Sequence, residues 1–225
     1  MVRTTADGDV RVVTLDRPER RNALDREALR ELAATVDAAA EPVIYLRGEG
    51  EAFCAGADLT VVEALDGESA REFAALGQRV ATTLESYDGA VVAGIDGAAR
   101  GGGVELALAC DLRVATPEAT FAETGVKLGL FGAWGGTRRL PRVVGEGDAM
   151  DLALSGRTVD AEAALRMGLV SRLVDDPRSV ADELAAVDHR ALRSLKRRMR
   201  DETDQRTGDE RERAAFASLV EAAEF

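Results

Sequence analysis

The 225-residue sequence is poor in the residues that several functional classes require. Its two cysteines, Cys54 and Cys110, are too few for a disulfide framework and are predicted to be buried structural thiols. Its single histidine, His189, lies in a charged stretch with no other histidine or cysteine nearby. A zinc site and a Ser-His-Asp triad therefore both lack support, and we expect no metal centre.

Long apolar runs are missing as well. No segment approaches the roughly 18 consecutive apolar residues that a membrane-spanning helix needs. The chain also does not open with a basic region followed by an apolar stretch, as a secretory signal would. We therefore expect a cytoplasmic protein that does not contact a membrane.

Lysine is the third scarce residue, since only Lys127 and Lys196 are lysines and nearly all the positive charge is arginine. The 41 acidic residues outnumber the 29 basic ones, and the formal net charge is -12. A surface this acidic repels polyanions, which argues against nucleic acid and anionic membranes as partners. Any anionic ligand has to meet a local basic patch.

The composition is that of an ordinary globular protein, with 46% hydrophobic and 31% charged residues. Strand-like and helix-like patterns alternate with short connections, which predicts an α/β core with its strands covered by helices. The part after Thr158 is mainly helical in pattern. We place the boundary near residue 157 and interpret it as a packing subdivision, because no flexible linker marks it.

Individual elements are predicted from turns, caps and apolar periodicity. The turn Asp7-Gly8-Asp9 joins two β-prone runs into a hairpin, and Asp25 caps a helix that extends to about Ala39. Further predicted elements are the strands Val2–Thr5, Val10–Leu15, Val43–Leu46, Ala90–Ile95, Leu112–Ala115 and Thr120–Ala122, the loop Asp96–Gly101 and the helix Gly102–Cys110.

Three glycine-rich segments stand where a strand or loop leads into a helix: Phe53 to Leu59, Gly101 to Leu106 and Gly135 to Leu140. The first N–H groups of a helix have no partner within the helix, so they can bind an oxyanion where no side chain blocks the approach. The alternative is that these glycines only allow tight turns and close packing. Neither the P-loop pattern nor the complete dinucleotide-binding pattern occurs here.

These segments resemble the crotonase, or enoyl-CoA hydratase/isomerase, superfamily. The resemblance covers most of the chain and includes further motifs: Asp16-Arg17-Pro18, Asn22-Ala23-Leu24, Cys110-Asp111-Leu112-Arg113-Val114-Ala115 and Leu128-Gly129-Leu130. It implies a crotonase-like core of repeated ββα units over residues 1–157. It also implies a helical region over residues 158–225 that joins subunits into a homotrimer or a hexamer.

The resemblance implies an enzyme that stabilises the enolate of an acyl-CoA thioester, with coenzyme A as part of the substrate and no separate cofactor. The N–H groups of Ala57 and Gly102 would hold the thioester oxygen, and the carbonyl of Ala55 would face the adenine amine. The further substrate contacts that we assign are Gly56, Asp58, Arg21, Gly101, Gly125, Phe131 and Trp134.

Glu105 lies one helical turn after Gly102 and is the predicted acid/base, with a pKa raised by its apolar neighbours. Relatives with hydratase activity usually carry a second glutamate, and alignment from Phe121 to Gly136 puts Gly125 at that position. Glu123, two residues away, is a candidate catalytic replacement, because both positions would share a face of an extended segment. The alternative is that Glu123 is structural.

The missing second glutamate leaves several functions open. Hydration or isomerisation of an enoyl-CoA is the leading hypothesis. Other enolate reactions on CoA thioesters, such as hydrolysis or decarboxylation, are alternatives. A subunit that binds acyl-CoA without turning it over is the alternative from another class.

Overall fold

The computed structural model describes residues 1–223 and contains two β-sheets covered by helices. The strands are β1 (Val2–Asp7), β2 (Val10–Leu15), β3 (Val43–Gly48), β4 (Ala90–Ile95), β5 (Ala98–Arg100), β6 (Leu112–Ala115), β7 (Thr120–Ala122), β8 (Val159–Asp160) and β9 (Arg172–Leu173). The helices are α1 (Arg26–Asp37), α2 (Leu59–Val62), α3 (Gly67–Ser86), α4 (Gly102–Ala109), α5 (Gly136–Ser155), α6 (Ala161–Arg166), α7 (Arg178–Ala185), α8 (His189–Met199) and α9 (Gln205–Ala222).

The larger sheet has six strands in the order β1-β2-β3-β4-β6-β9. The predicted hairpin of β1 and β2 is confirmed and antiparallel, with Val2 opposite Leu15, and the remaining neighbours pair in parallel. Strand β4 is buried along its whole length, as its unbroken apolar sequence requires in a sheet covered on both faces. The α/β prediction is confirmed.

The second sheet, of order β5-β7-β8, was not predicted. The segment Asp96–Gly101 was expected to be a loop, and this is wrong because it contains β5. Pairing creates this strand: Cys54 donates its N–H to the carbonyl of Ala98, and Arg100 donates its N–H to the carbonyl of Cys54. Three residues flanked by glycines carry no periodic signal that predicts such a strand.

Helix α1 begins where the sequence predicts, because the Asp25 carboxylate accepts the N–H groups of Glu27 and Ala28. The predicted boundary at residue 157 falls just before β8, and both β8 and β9 add strands to the sheets from beyond it. Among the described residues, no helix combines the length and the apolar character that crossing a membrane would take.

Candidate active site

Two backbone segments meet at the centre of the site. Gly56 has a positive φ of 85° and lies against the start of α4, where a Cβ added to it would stand 2.8 Å from the nitrogen of Gly102. The bridge between Leu24 and Ala57 keeps the first segment in place: Leu24 donates to the carbonyl of Gly56 at 2.8 Å. Only glycine permits this close approach of two backbones.

The N–H groups of Ala57 and Gly102 are free at this junction. Among the hydrogen bonds of residues 1–223, neither group is a donor. Gly102 is the first residue of α4, so its N–H has no partner within the helix and lies at the positive end of the helix dipole. The structure therefore provides two unpartnered backbone donors next to each other, as an oxyanion site requires.

Glu105 lies one turn further along α4 and is almost fully buried, with 1% of its surface exposed. Its Oε1 accepts two backbone N–H groups, from Trp134 at 2.9 Å and from Gly136 at 2.6 Å. Burial raises the pKa of Glu105, while the N–H groups of Gly136 and Trp134 and the charge of Arg139 limit the rise. The predicted direction of its pKa is confirmed.

The glycine-dense loop before α5 makes room for this carboxyl group. A Cβ at Gly132 would lie 2.6 Å from the Glu105 Cδ, and one at Gly136 would lie 2.7 Å from its Oε1. A side chain at either position would therefore force the Glu105 carboxyl group to move. The sequence displays the glycines, yet their function as a cradle for Glu105 was not predicted from it.

Glu123 follows β7 directly and lies close to Glu105. Its Oε1 is buried and has no hydrogen-bond partner among residues 1–223. Burial, together with the negative charge of Glu105, raises the pKa of Glu123 to about 8. Glu123 therefore retains its proton at neutral pH.

Positions 123 and 125 do not lie in the extended segment that the sequence predicted. Strand β7 ends at Ala122, and residues 124–128 form a 3-10 helix, so positions 123 and 125 do not share the face of a strand. Gly125 packs against the chain itself, where an added Cβ would lie 3.1 Å from the Cα of Phe131. A larger residue at position 125 would have to displace that backbone.

A small cavity of about 200 Å³ joins these groups. Its wall includes Ala55, Ala57, Gly101, Gly102 and Glu105, together with Gly125, Phe131, Trp134 and apolar residues of α2 and α3. Glu105 is the carboxylate in this wall, and Glu123 is not among the described residues that form it.

Comparison with known proteins identifies the family. The family model "Enoyl-CoA hydratase/isomerase" matches residues 5–224. A crotonyl-CoA hydratase from Syntrophomonas wolfei is 38% identical over 186 residues, which cover 80% of this chain and 71% of the relative. A short-chain-enoyl-CoA hydratase from Clostridium acetobutylicum is 39% identical over 174 residues, covering 75% of this chain and 67% of the relative. This chain belongs to the enoyl-CoA hydratase/isomerase family.

Solved structures agree with this membership. The enoyl-CoA hydratase from Bacillus anthracis superposes with a TM-score of 0.91 at 31% identity, covering 98% of this chain and 91% of that one. A structure from Thermobifida fusca YX, in complex with acetoacetyl-CoA, superposes with a TM-score of 0.90 at 30% identity, covering 99% of this chain and 95% of that one. The crotonase-like fold and an enzyme of the hydratase/isomerase type are thereby confirmed.

Two aromatic residues among the predicted substrate contacts of this family member, Trp134 and Phe131, line the cavity. Trp134 is buried, and its ring packs over Gly102 and Gly77. It also makes an edge-to-face contact with Phe73, with 6.0 Å between the two ring centroids. Phe131 is 73% exposed and lies at the rim. Both side chains therefore border the space inside the cavity.

Asp58 and Arg21 lie outside the cavity wall. The Asp58 carboxylate accepts the hydroxyl and N–H of Thr60 and pairs with Arg17 at 3.3 Å, so it caps α2. The hydrogen bond from Thr60 lowers the pKa of Asp58. Arg21 is exposed, and its carbonyl accepts the N–H of Ala55 at 2.9 Å.

Proposed function

We propose that this enzyme catalyses the reversible addition of water to the double bond of a short 2-enoyl-CoA. One observation carries the proposal: two unpartnered N–H groups, of Ala57 and Gly102, and the buried carboxyl of Glu105 meet in one cavity. The hydratase names of the relatives from Syntrophomonas wolfei and Clostridium acetobutylicum support hydration. The cavity volume of about 200 Å³ supports a short acyl group.

In this proposal the two N–H groups hold the thioester oxygen. As water adds to C3, the electrons of the double bond move toward that oxygen, and the growing negative charge strengthens both hydrogen bonds. Donors of this kind contribute about 2.7–4 kcal/mol each to transition-state stabilisation. The free N–H groups of Ala57 and Gly102 support this role.

Glu105 carries the proton in the same proposal. Its carboxylate takes one proton from the attacking water while the water oxygen bonds to C3. The enolate then collapses, and C2 receives that proton from Glu105. A raised pKa supports this transfer, because an acid/base works best when its pKa lies close to the working pH.

Glu123 is the second carboxyl group of the proposal, and we assign its effect to Glu105 rather than to the substrate. With a pKa of about 8, Glu123 is uncharged at neutral pH and does not oppose the ionisation of Glu105. Two buried carboxyls whose environments separate their pKa values can divide the acid and base roles.

Isomerisation of a 3-enoyl-CoA is the second candidate, because Glu105 is the carboxylate in the cavity wall among the described residues. A single proton carrier suffices for it: Glu105 would remove a proton from C2 and return it to C4, with the same N–H pair holding the enolate.

The decisive experiment measures hydration of crotonyl-CoA and isomerisation of 3-hexenoyl-CoA by the wild type, Glu105→Gln and Glu105→Ala. We expect hydration to dominate in the wild type and to fall by at least 100-fold in both variants. Glu118→Gln, which changes an exposed glutamate, is the matched control and should retain full activity. Isomerisation without hydration would favour the second candidate. Binding of CoA esters without any turnover would favour the non-catalytic subunit.

Contacts to coenzyme A remain a proposal. We assign the phosphates to the exposed Arg20 and Arg21. The position of Arg21 beside Ala55 supports this, since the carbonyl of Ala55 is the proposed partner of the adenine amine. No separate cofactor is required by the proposed reaction.

We also propose self-association to a homotrimer or a hexamer through the C-terminal helices. A groove of about 1220 Å³ lies between α8 and α9, and exposed apolar side chains line it. A cytoplasmic location is supported by the two free thiols, Cys54 and Cys110, which are both buried.

A further inference from the structure

Arg139 lies in the first turns of α5 with 4% of its surface exposed, although it carries a charge. Its guanidinium has two acceptors. Nη1 donates to the carbonyl of Trp134 at 3.2 Å, and Nε and Nη2 donate to Oε2 of Glu85 at 3.2 and 2.5 Å. A buried arginine in this fork geometry orients what it binds. Trp134 belongs to the substrate cavity wall, whereas Arg139 and Glu85 lie outside it.

Trp134 connects this ion pair to the proposed acid/base. Its carbonyl accepts from Arg139, and its N–H donates to Oε1 of Glu105 at 2.9 Å. Gly136, two residues further, donates to the same oxygen at 2.6 Å. The path Glu85, Arg139, Trp134, Glu105 is continuous and joins residues of three different helices.

Gly135 explains why two alternate N–H groups converge on one oxygen. Its φ of 104° turns the backbone so that the N–H groups of Trp134 and Gly136 point to the same side. A Cβ at this position would stand 2.2 Å from Nη1 of Arg139, so the guanidinium lies directly against the turn. Arg139 thus packs against the turn at Gly135, while Glu105 accepts the N–H groups on either side of that residue.

We propose that Arg139, anchored by Glu85, is a positioning residue that aims the Trp134 and Gly136 N–H groups at Glu105 and thereby sets the orientation and charge state of that carboxyl. This inference rests on the proposed function of Glu105 as the acid/base. It assigns a role to an ion pair outside the cavity wall.

Arg139 is the cation among the described residues that acts on the charge of Glu105. From α5, the positive charge of Arg139 lowers the pKa of Glu105, against the larger effect of burial. From the segment after β7, Glu123 is the facing acid. Helix α3 contributes apolar residues to the cavity wall, and its Glu85 binds Arg139 outside that wall. Arg100 of β5 is bonded to Thr120. Loss of Arg139 therefore removes the main stabilising charge.

Glu85 is itself held in its charged form. Burial, the largest effect, would raise its pKa, but the hydrogen bond from Arg139 and the charges of Arg139, Arg200 and Arg138 lower it below the usual value. The anchor stays ionised throughout the working pH range. Arg138 lies 3.6 Å from the same carboxylate but is 54% exposed on its side chain and has no contact with Trp134 among the described hydrogen bonds.

Arg138 and Arg139 form a matched pair for the test. Both are arginines of one helical turn that pair with Glu85, and only Arg139 also binds the Trp134 carbonyl. The enzyme variants are Arg139→Gln, Arg139→Lys, Arg138→Gln and Glu85→Gln. Thermal unfolding and circular dichroism of each verify that the fold is retained.

We expect Arg139→Gln to lower kcat about 10- to 100-fold with little change in KM, because a misaligned reacting group can reduce the rate by about 100-fold. The acidic limb of its pH–rate profile should move to higher pH, since the cation that favours the Glu105 carboxylate is gone. Arg139→Lys should restore the position of the acidic limb of the pH–rate profile more fully than it restores kcat. Glu85→Gln should give a smaller loss in the same direction, and Arg138→Gln should match the wild type.

A direct readout separates this inference from the proposed function. The carboxyl carbon of Glu105 is followed by ¹³C NMR in protein labelled at glutamate, with Glu105→Gln identifying the signal. Its titration midpoint should rise in Arg139→Gln and stay unchanged in Arg138→Gln, whether or not the substrate is turned over. An unchanged midpoint in folded Arg139→Gln overturns the positioning role, even if the hydratase assay succeeds. A raised midpoint in an enzyme without turnover would leave it standing while the proposed function fails.

Discussion

At the scale of single residues, Glu105 and Glu123 are two buried carboxyls with opposite surroundings. Glu105 has two backbone donors on one oxygen, whereas Oε1 of Glu123 has no partner among the described residues. Hydrogen bonds to the charged form favour it, and burial without them favours the neutral form. Burial raises the pKa of both carboxyls, and the N–H groups of Gly136 and Trp134 limit the rise at Glu105.

Stability should depend on pH through Glu123. Its pKa of about 8 in the native state lies above the value of about 4.3 in an unfolded chain, so the native state binds this proton more tightly. Native stability is therefore lost progressively as pH rises from about 4.3 through 8. We expect Glu123→Gln to reduce the fall in unfolding free energy between pH 6 and 9 by about 1–3 kcal/mol, because a proton bound only by the native state changes this free energy by about 1.4 kcal/mol per pH unit.

Urea unfolding of the wild type, Glu123→Gln and the exposed control Glu118→Gln at both pH values measures this difference. The control should keep the pH dependence of the wild type. Identical pH dependence in Glu123→Gln and the wild type would mean that Glu123 titrates normally in the folded protein.

At the scale of secondary-structure elements, Asp111 attaches α8 to the core. Its Oδ2 accepts the N–H of Val91 at 2.8 Å and pairs with Lys196 at 2.8 Å, and its Oδ1 pairs with Arg200 at 2.7 Å. Lys196 also donates to the carbonyl of Gly89 at 2.7 Å. Asp111 belongs to one of the motifs on which the family resemblance rests. Its contacts join α8 and the residue after it to strand β4.

Replacement of Asp111 should destabilise the fold strongly. Asp111→Ala leaves the largely buried Lys196 without its carboxylate, and breaking such a pair reduces stability by about 3 kcal/mol or more. Glu162→Ala, which removes an exposed i,i+4 pair with Arg166, is the control and should change stability by less than about 0.5 kcal/mol. Equal urea midpoints for both variants would contradict this attachment of α8.

At the scale of the whole molecule, the C-terminal helices leave an apolar groove open. Leu195, Met199 and Phe216 are 62%, 79% and 69% exposed, and all three line the groove between α8 and α9. A monomer rarely exposes so many large apolar side chains together. This supports the proposal that copies of the chain cover one another here.

Light scattering after size-exclusion chromatography tests the assembly. We expect a mass of three or six times the 23.9 kDa of one chain. Met199→Glu combined with Phe216→Glu should shift the mass toward that of a single chain, because two charges would be buried without partners. Arg190→Gln combined with Arg206→Gln, a pair of exposed polar changes on the same helices, should retain the assembly. A monomeric wild type at every concentration would refute self-association.

The sequence alone determined the features that depend on neighbouring residues. The turn Asp7-Gly8-Asp9, the Asp25 cap and the glycines before α4 act within a few positions, so their patterns predict the hairpin, the start of α1 and the free N–H group of Gly102. Glu105 follows from the same helix by one turn. Local geometry is sufficient for each of these.

Only the tertiary structure decided the contacts between distant segments. Trp134 is 29 residues from Glu105, Arg139 is 54 from Glu85 and Arg200 is 89 from Asp111. Strand β5 and the buried state of Glu123 depend equally on packing. The physical reason is that a partner distant in sequence leaves no periodicity or cap beside the residue that it contacts, so burial and pairing appear only when the chain is folded.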